Sequence, residues 1–264
     1  MNLTLIKIGG NVIDNPTARQ QFLADFAALD GAKILVHGGG KVATQVAEKL
    51  GVDTVMIDGR RVTDQAMLDV VTMVYGGLVN KQLVAQLQSL GCNALGLTGA
   101  DGGIIQARKR TGWAADYGFV GDIEAVNADL LESFLRQNLT PVLAPLTFDP
   151  ALASVLNTNA DTQAQAVAVA LASKFAVNLV YCFEKKGVLA DPNDDTTAIA
   201  TLNPDEFEAL KAAGVVNKGM IPKLDNAFAA LRAGVSQVTI CHAADVRQAV
   251  VEGTAGTRLT LATH

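Results

Sequence analysis

An apolar strand pattern that runs directly into three consecutive glycines constrains this chain more than any other feature. Residues 33–37 (Lys-Ile-Leu-Val-His) have the pattern of a buried strand, residues 38–40 are all glycine, and a helical pattern begins at Lys41. Glycine permits positive φ and lets backbone N–H groups approach a ligand, and a helix start adds unpaired donors and the positive end of its dipole. We therefore expect a phosphate or carboxylate to bind at this junction.

Three other kinds of glycine-rich site use a similar turn. A P-loop requires glycine where this chain has Leu35 and Ser or Thr where it has Val42. An esterase oxyanion hole requires a G-x-S-x-G elbow elsewhere, and no serine of the chain lies in one, which excludes that class of hydrolase. The dinucleotide-binding pattern fits only in its weaker form, with Ala43 in the last glycine position, and stays open as an alternative.

Composition narrows the class of protein. With 264 residues, half of them hydrophobic, the chain can bury the core of one large α/β domain or of two tightly joined lobes. A net charge of −5 and the absence of a basic stripe with aromatics argue against nonspecific nucleic-acid binding. Because the chain has no membrane-length apolar run and no signal-peptide pattern, we expect a cytoplasmic protein with no membrane partner. The three scattered cysteines predict buried, reduced thiols.

A second glycine turn, at Gly9 and Gly10, follows the strand pattern of residues 4–8, in which Lys7 is the only charge. A lysine on an edge strand could reach solvent, but parallel strands covered on both faces are almost continuously apolar. We expect the Lys7 ammonium group to lie beside a bound phosphate.

Residues 156–161 (Leu-Asn-Thr-Asn-Ala-Asp) open an alanine-rich helix that runs to about residue 173. Asn159 fits the N-cap of this helix and Asp161 its first turn, and capping and dipole effects alone could account for both residues. Asn157 has no such structural explanation, so it is a candidate ligand-binding residue.

Strand and helix patterns alternate along the whole chain. Strands are expected at 3–8, 33–37, 95–98, 141–146, 178–183, 188–189 and 237–241, a hairpin at 117–125, and helices at 16–29, 41–50, about 64–90, 128–136, 159–173, 204–212 and 219–233. This order predicts an α/β fold, a three-layer αβα sandwich around a central, mostly parallel open sheet. Ligands in such folds bind beyond the carboxyl ends of the strands, where the glycine turns lie.

Five motifs together resemble those of the acetylglutamate kinases of the amino-acid kinase family, and they extend over nearly the whole chain. They are Ile6–Gly10, Val36–Gly40, Gly59–Thr63, Leu156–Asp161 and Lys218–Lys223. The first two occur across the wider family, which includes carbamate and uridylate kinases. Arg61, Asn157 and the Gly-Met-Ile-Pro-Lys run at 219–223 are similar to the acylglutamate-specific elements.

The resemblance implies ATP-dependent phosphorylation of the γ-carboxylate of N-acetyl-L-glutamate, the second step of arginine biosynthesis. Lys7 and Lys223 would hold the transferring phosphoryl group, and Asp161 would orient both ammonium groups. Arg61 and Asn157 would bind the acylglutamate. The backbone N–H groups that would bind phosphate oxygens are those of Gly9, Gly10, Gly39 and Gly40, the last two on the substrate side.

The resemblance also implies an organisation and a set of partners. Residues 1–175 would form an acylglutamate-binding lobe and residues 176–264 a nucleotide-binding lobe within one domain. Mg²⁺ would be held mostly by ATP oxygens and water. We expect a homodimer that arginine does not inhibit, because the first strand begins near Leu3 and leaves no room for the extra N-terminal helix of arginine-inhibited relatives. Residues 181–188 depart from the usual Leu-x-Asp-x-x-Gly-Val segment, which leaves the contacts to the nucleotide base open.

Two other functions are compatible with the motifs. N-succinyl-L-glutamate is an alternative substrate whose additional carboxylate could pair with Arg60. Neighbouring strand residues point to opposite faces, however, so Arg60 is expected to face away from a substrate that Arg61 contacts, and the acetyl compound is favoured. A non-catalytic nucleotide- or amino-acid-sensing module is the more distant alternative, since a sensor would have no use for Lys7, Asp161 and Lys223 together.

Overall fold

A computed structural model describes residues 1–57, 59–112, 115–191, 193–216 and 220–262, without the side chain of Asn11. Lys218 and Gly219 of the last motif lie outside the described residues, as do Asp58, Pro192 and His264. The strands are β1 (Asn2–Ile8), β2 (Ala32–His37), β3 (Met56–Ile57), β4 (Arg60–Arg61), β5 (Ala94–Leu97), β6 (Ile105–Lys109), β7 (Gly121–Val126), β8 (Thr140–Leu143), β9 (Leu146–Asp149), β10 (Ser154–Asn157), β11 (Ala176–Phe183), β12 (Thr201–Leu202), β13 (Gln237–His242) and β14 (Thr257–Leu259). The helices are α1 (Gly10–Asp14), α2 (Pro16–Ala27), α3 (Gly40–Lys49), α4 (Gln65–Val71), α5 (Asn80–Ser89), α6 (Ala128–Arg136), α7 (Ala160–Leu171), α8 (Pro204–Ala212) and α9 (Ile221–Arg232), with a π-helical segment, Thr72–Val79, joining α4 to α5.

Within the described residues, the main sheet has eight strands in the order β12-β14-β13-β11-β1-β2-β8-β5. The six strands from β13 to β5 are parallel, and β14 pairs antiparallel with β13. β1 therefore lies inside the sheet, between β11 and β2, and its carboxyl end opens onto the same edge as theirs. The predicted fold class is confirmed.

Helices cover both faces of this sheet. Successive side chains of β1 point to opposite faces, and the apolar ones on each face are buried. Ile6 and Ile8 belong to the buried cluster that also contains residues of α1–α5, whereas Leu3 and Leu5 belong to the cluster formed with α6–α9. A fully buried Leu or Ile stabilises a fold by about 1.5–3 kcal/mol, so these two clusters hold the three layers together. Lys7 shares the face of Leu3 and Leu5, and this places its side chain under α7.

Several local expectations were wrong. The strand predicted at 141–146 ends at Leu143, and Pro145, which cannot donate to a strand ladder, lies in the turn before β9. Residues 121–126 form β7, which pairs antiparallel with β6 and not within a 117–125 hairpin. Leu189 makes only an isolated bridge with Ala198. The β9–β10 hairpin and the short helix α1 were not predicted.

The cysteines agree with the sequence-based expectation of buried, reduced thiols. Cys92, Cys182 and Cys241 are buried and free, and the sulfur atoms of Cys182 and Cys241 are 3.8 Å apart across neighbouring strands. None of the helices in the described ranges combines the length and the apolar character needed to cross a membrane.

His37, the last residue of β2, is fully buried and fixes the start of the glycine turn. Its Nε2 accepts from the amide nitrogen of Asn80 (3.1 Å), which can only donate, so Nδ1 carries the proton and donates to the Gly38 carbonyl (2.7 Å). The same Asn80 nitrogen donates to the Val142 carbonyl (2.9 Å). Burial lowers the pKa of His37 from 6.5 to about 4, so the ring is neutral in the folded protein.

This lowered pKa predicts a specific loss of stability in acid. The stabilising contribution of neutral His37 is fully present above pH 6.5 and is lost as the pH falls towards about 4, because the unfolded state binds the proton more tightly. Between pH 7 and pH 5, wild type should lose about 2 kcal/mol more free energy of unfolding than His37→Gln. Urea unfolding at both pH values measures this, with His242→Gln as the control. Equal losses in wild type and His37→Gln would show that the buried ring does not govern this acid sensitivity.

Candidate active site

The two glycine turns lie side by side, because they follow the neighbouring strands β1 and β2. The amide of Gly38 donates to the carbonyl of Ile8 (3.1 Å) and joins them directly. Helix α1 begins at Gly10 and α3 at Gly40, so each turn ends in helix-start amides that have no acceptor within their own helix. The two sets of donors meet at one sheet edge, an arrangement suited to binding an anion.

Gly39 is the position in these turns where a side chain is least well accommodated. Its φ is +153°, a conformation that residues with a side chain rarely adopt. A Cβ atom built there would lie 3.0 and 3.2 Å from two ring atoms of Tyr75. The backbone at Gly39 therefore packs directly against the π-helical segment.

Lys7 and Asp161 form a buried ion pair at this edge. The Nζ of Lys7 lies 2.6 Å from Oδ1 of Asp161, and the two residues are 6% and 8% exposed. Asn159 is the N-cap of α7 and accepts from the amides of Asp161 (2.9 Å) and Thr162 (3.1 Å). Asn159 thus has the predicted capping role, while the carboxylate of Asp161 is directed at Lys7.

Lys223 reaches the same place from the first turn of α9. Its Nζ lies 3.9 Å from the centre of the Phe183 ring, and the Nζ of Lys7 lies 5.4 Å from it. Burial lowers the pKa of Lys223 and the charge of Lys7 lowers it further, whereas the charges of Asp161 and Glu184 raise it. Among the described ion pairs, Asp161 is joined to Lys7 and not to Lys223, so its influence on Lys223 is through charge at longer range.

A cavity of about 490 Å³, here called the lysine cavity, surrounds these groups. Its lining contains four lysines and, as its one carboxylate among the described residues, Glu184. The lining residues are Lys7, Gly9, Gly10, Val12, Gly40, Lys41, Cys182, Phe183, Glu184, Lys185, Met220 and Lys223. Such a cavity is suited to a polyphosphate.

A second cavity of about 220 Å³, here called the arginine cavity, lies on the other side of Gly40, which lines both. It contains three arginines and the start of α7. The lining residues are Gly38, Gly39, Gly40, Met56, Gly59, Arg60, Arg61, Tyr75, Arg110, Val120, Pro145, Asn157, Thr158, Asn159 and Ala160. The candidate residues Gly39, Gly40, Arg61 and Asn157 are therefore brought together.

Arg61 fixes the β3–β4 hairpin to the start of α3. Its NH2 donates to the Gly40 carbonyl and to Thr44 Oγ1, both at 2.9 Å, and the residue is 9% exposed. Arg60 also lines the arginine cavity, so the expectation that it faces away was wrong. β4 is only two residues long, and the pleat that separates neighbouring side chains does not continue beyond it.

Asn157 is connected to the same hairpin. Its Nδ2 donates to Thr63 Oγ1 (3.0 Å), and the Thr63 hydroxyl donates to the Arg61 carbonyl (3.1 Å). The backbone N–H of Asn157 donates to the backbone carbonyl of Phe119 (2.9 Å). Asn157 and Arg61 are thus held in a fixed relation although they are distant in sequence.

Sequence reasoning missed several lining residues. Arg110 lines the arginine cavity with its guanidinium group held by Asp122 (2.6 and 2.9 Å), and no motif marks it. Lys41 could have been found, because it directly follows the third glycine. Phe183 and Glu184 lie in the segment that departs from the family pattern, so the resemblance assigned them no role.

Comparison with known proteins agrees with this geometry. The model of the amino acid kinase family matches residues 2–242, and the chain belongs to this family. It is 57% identical to the acetylglutamate kinase of Cytophaga hutchinsonii over 97% of this chain and 98% of that one, and 55% identical to that of Phocaeicola vulgatus over 93% and 95%. The carbamate kinase of Giardia lamblia bound to AMP-PNP, 13% identical, shares the fold with a TM-score of 0.73 over 99% of both chains. The family match decides against the dinucleotide-binding alternative.

The environment of Gly39 predicts that even a methyl group there impairs activity. Gly39→Ala has to shift Tyr75 or the turn, so kcat/KM for ADP release should fall at least about tenfold. Gly51→Ala is the matched control, because Gly51 also has positive φ (+70°) but nothing within 4 Å of the added Cβ. It should lose about 1 kcal/mol of stability and keep its activity. Equal activity in the two variants would contradict a tightly packed Gly39.

Proposed function

We propose that this chain transfers the γ-phosphoryl group of ATP to the γ-carboxylate of N-acetyl-L-glutamate and gives N-acetyl-L-glutamyl 5-phosphate and ADP, the second step of arginine biosynthesis. The observation that carries the proposal is the meeting of an arginine cavity and a lysine cavity at Gly40. Two anionic substrates need such an arrangement, one bound on each side of a shared nest of N–H groups. The names of the near full-length relatives point to the same reaction.

In this proposal the acylglutamate occupies the arginine cavity. Arg61 and Asn157 bind its α-carboxylate and amide portion, and the γ-carboxylate points to Gly40 and the lysine cavity. A γ-carboxylate is already deprotonated at neutral pH, so the reaction needs no general base. Asp161, ion-paired with Lys7, then has the role of holding a cation and not of accepting a proton.

The chemical problem is the approach of two anions, followed by the spread of charge over the transferring phosphoryl group. Lys7 and Lys223 supply positive charge, and the amides of Gly9, Gly10 and Gly40 supply donors that need no rearrangement during the reaction. These groups favour the transition state over the bound substrates because the phosphoryl charge is most dispersed there.

ATP enters this proposal as its Mg²⁺ complex. Within the described ranges, no three Asp, Glu, His or Cys side chains cluster in a way that could hold a metal ion, and Glu184 is the carboxylate that lines the lysine cavity. Mg²⁺ bound to ATP keeps phosphate oxygens and water as most of its ligands, so one nearby carboxylate fits this donor set.

The two-lobe organisation is part of the proposal. A small apolar cavity of about 40 Å³ extends the lysine cavity, since both are lined by Lys185 and Met220. Val188 and Val216 are among its other lining residues, all from the 176–264 portion. These apolar side chains adjoin the lysine cavity, where they could contact an edge of the nucleotide base, and this position supports a nucleotide lobe at 176–264 and an acylglutamate lobe at 1–175.

We also propose a cytoplasmic homodimer. Met73 and Leu78 of the π-helical segment and Leu90, just after α5, are large apolar residues that are 54%, 45% and 46% exposed. A dimer interface on this part of the surface would remove their apolar area from water. Three free thiols are typical of a reducing compartment.

N-succinyl-L-glutamate is the second candidate substrate, and the position of Arg60 favours it more than the sequence did. The succinyl group would bring one further carboxylate into a cavity that Arg60, Arg61 and Arg110 line together. Arg60 is the arginine that the sequence analysis considers for this carboxylate, and because it lines the cavity it is the one to test.

Coupled ADP release with both acylglutamates tests the function and the acyl group together. We expect kcat/KM for N-acetyl-L-glutamate to be at least equal to that for the succinyl compound. A value more than tenfold higher for the succinyl compound, about 1.4 kcal/mol of transition-state stabilisation, would reverse the choice, and Arg60→Gln should then remove the difference. Turnover of carbamate, aspartate or UMP instead would contradict the proposed reaction, and no turnover at all would favour the sensing module.

We expect replacement of any of the three charged residues Lys7, Lys223 and Asp161 to lower kcat. Lys7→Ala or Lys223→Ala should lower kcat roughly 10²-fold and raise KM less, as loss of one preorganised electrostatic donor does. Asp161→Asn keeps the size of the side chain but removes the charge that holds Lys7, so its kcat should fall as well. Asp129→Asn is the matched control, since Asp129 lies in the first turn of α6 and pairs with Lys174 (2.6 Å). An Asp161→Asn variant with a lower melting temperature but unchanged kcat would contradict a catalytic role.

A further inference from the structure

The ammonium groups of both proposed catalytic lysines lie over the aromatic ring of Phe183. Phe183 is the last residue of β11, is partly buried, and lines the lysine cavity. The Nζ atoms of Lys223 and Lys7 lie 3.9 and 5.4 Å from the ring centre, both within the distance at which a cation is attracted to an aromatic face. Phe183 lies in the segment where this chain departs from the family pattern, so nothing in the resemblance accounts for it.

Lys223 needs such a partner more than Lys7 does. Lys7 has the carboxylate of Asp161 at 2.6 Å, whereas the charged groups facing Lys223 are mixed in sign. They are Lys7 from β1, Asp161 from α7 and Glu184 after β11, with Lys41 and Lys185 lining the same cavity. Burial and the charge of Lys7 both lower the pKa of Lys223, and they favour a neutral amine that would be useless to a phosphoryl group.

An aromatic ring can hold this ammonium group without competing for the space or charge of the substrate. A second carboxylate beside Lys223 would repel an incoming triphosphate, because like charges in a partly buried cavity interact strongly. The face of a ring attracts the cation through its quadrupole and carries no net charge. The lysine therefore keeps its full charge for the phosphoryl group.

The ring of Phe183 is stacked with that of Tyr181. Tyr181 and Phe183 are two residues apart on β11 and share one face of the strand. Their rings are nearly parallel, 2° apart in orientation, with centres separated by 6.1 Å. The hydroxyl of the buried Tyr181 donates to the backbone carbonyl of Asp161 (3.3 Å), so the aromatic pair is connected to the helix that supplies the carboxylate.

From this arrangement we propose that Phe183 is a positioning residue that holds the ammonium group of Lys223 beside that of Lys7 in the lysine cavity, with Tyr181 as its support. The proposal rests on the phosphoryl transfer proposed above and adds a part to that site.

The test compares Phe183→Leu, which keeps an apolar side chain without the ring, with Phe183→Tyr, which keeps the ring. Phe183→Leu should lower kcat about fivefold, which corresponds to about 1 kcal/mol, and change KM for ATP less than twofold. Loss of the ring disfavours the ammonium form of Lys223, so the basic limb of the kcat profile should move to lower pH by about 0.7 units. Phe183→Tyr should restore both values.

Phe207→Leu is the matched control for a general loosening of this region. Phe207 is buried, stacks on Phe228 of α9 with ring centres 5.6 Å apart, and lines neither cavity. Because α9 also carries Lys223, a loss caused by weaker packing alone should be the same in Phe207→Leu. We expect kcat within about twofold of wild type and an unmoved basic limb in this control.

A spectroscopic measurement tests the contact without relying on catalysis. In protein labelled with ¹³C-lysine, the side-chain methylene signals of Lys223, assigned by their loss in Lys223→Arg, should be displaced by the ring current of Phe183. The displacement should disappear in Phe183→Leu and remain in Phe183→Tyr. If wild type releases no ADP, the proposed reaction fails while this contact remains testable. An unchanged Lys223 signal in Phe183→Leu, an unmoved pH limb, or a loss that Phe183→Tyr does not restore would overturn the positioning role.

Discussion

The ion pair between Lys7 and Asp161 is the interaction on which the candidate site depends, because it joins the centre of the sheet to the helix that covers it. Lys7 lies within the apolar run of an interior strand, one residue before its end, and Asp161 lies in the first turn of α7. Removing both charges from water costs several kcal/mol that their attraction only partly returns, so such a pair is weak evidence of stabilisation. A pair of this kind, retained between two glycine-lined cavities, is better explained by the charge it makes available than by the fold.

The other groups of the site are arranged to keep that charge in place. The capping amide of Asn159 fixes the helix start, the neutral ring of His37 fixes the glycine turn, and Arg61 ties the β3–β4 hairpin to Gly40. Each of these contacts uses a hydrogen bond to the backbone, and each leaves the helix-start amides directed at the cavities. Preorganised donors of this sort do not have to rearrange when charge develops on a bound phosphoryl group.

The fold was predictable from the sequence to the extent that hydrophobic period and helix-end signals define its elements. Helices α6 and α8 match their predicted bounds, since Asn127 and Asn203 cap them and apolar residues recur at helical spacing. The β9–β10 hairpin was missed because its strands have four residues each, too few for a clear alternating pattern. Arg60 was misplaced because period-two alternation holds only along an extended strand.

The site was predictable where one residue type had an unusual neighbourhood in sequence, such as a lysine inside an apolar strand or three glycines before a helix. Arg110 and Phe183 have no such neighbourhood, because a long loop and a strand end bring them to the cavities through tertiary structure alone. Asp161 and Lys7 are more than a hundred positions apart in sequence. Local sequence patterns cannot predict a contact between residues so far apart. The motif resemblance supplied that contact, but it could not supply contacts made by residues outside the motifs.

The net charge of −5 and the binding of two anions are compatible because charge acts locally in this protein. At physiological ionic strength, exposed charges are screened over about 8 Å, so the acidic surface contributes little inside a cavity. Among the described residues, four lysines and one carboxylate line the lysine cavity, and three arginines line the neighbouring cavity. A bound phosphate interacts mainly with the charges of these lining groups. Their net charge is positive, although that of the whole chain is negative. Replacing the ring beneath Lys223 by a carboxylate would secure the lysine but reduce this local excess, which is a physical reason for an aromatic residue at the end of β11.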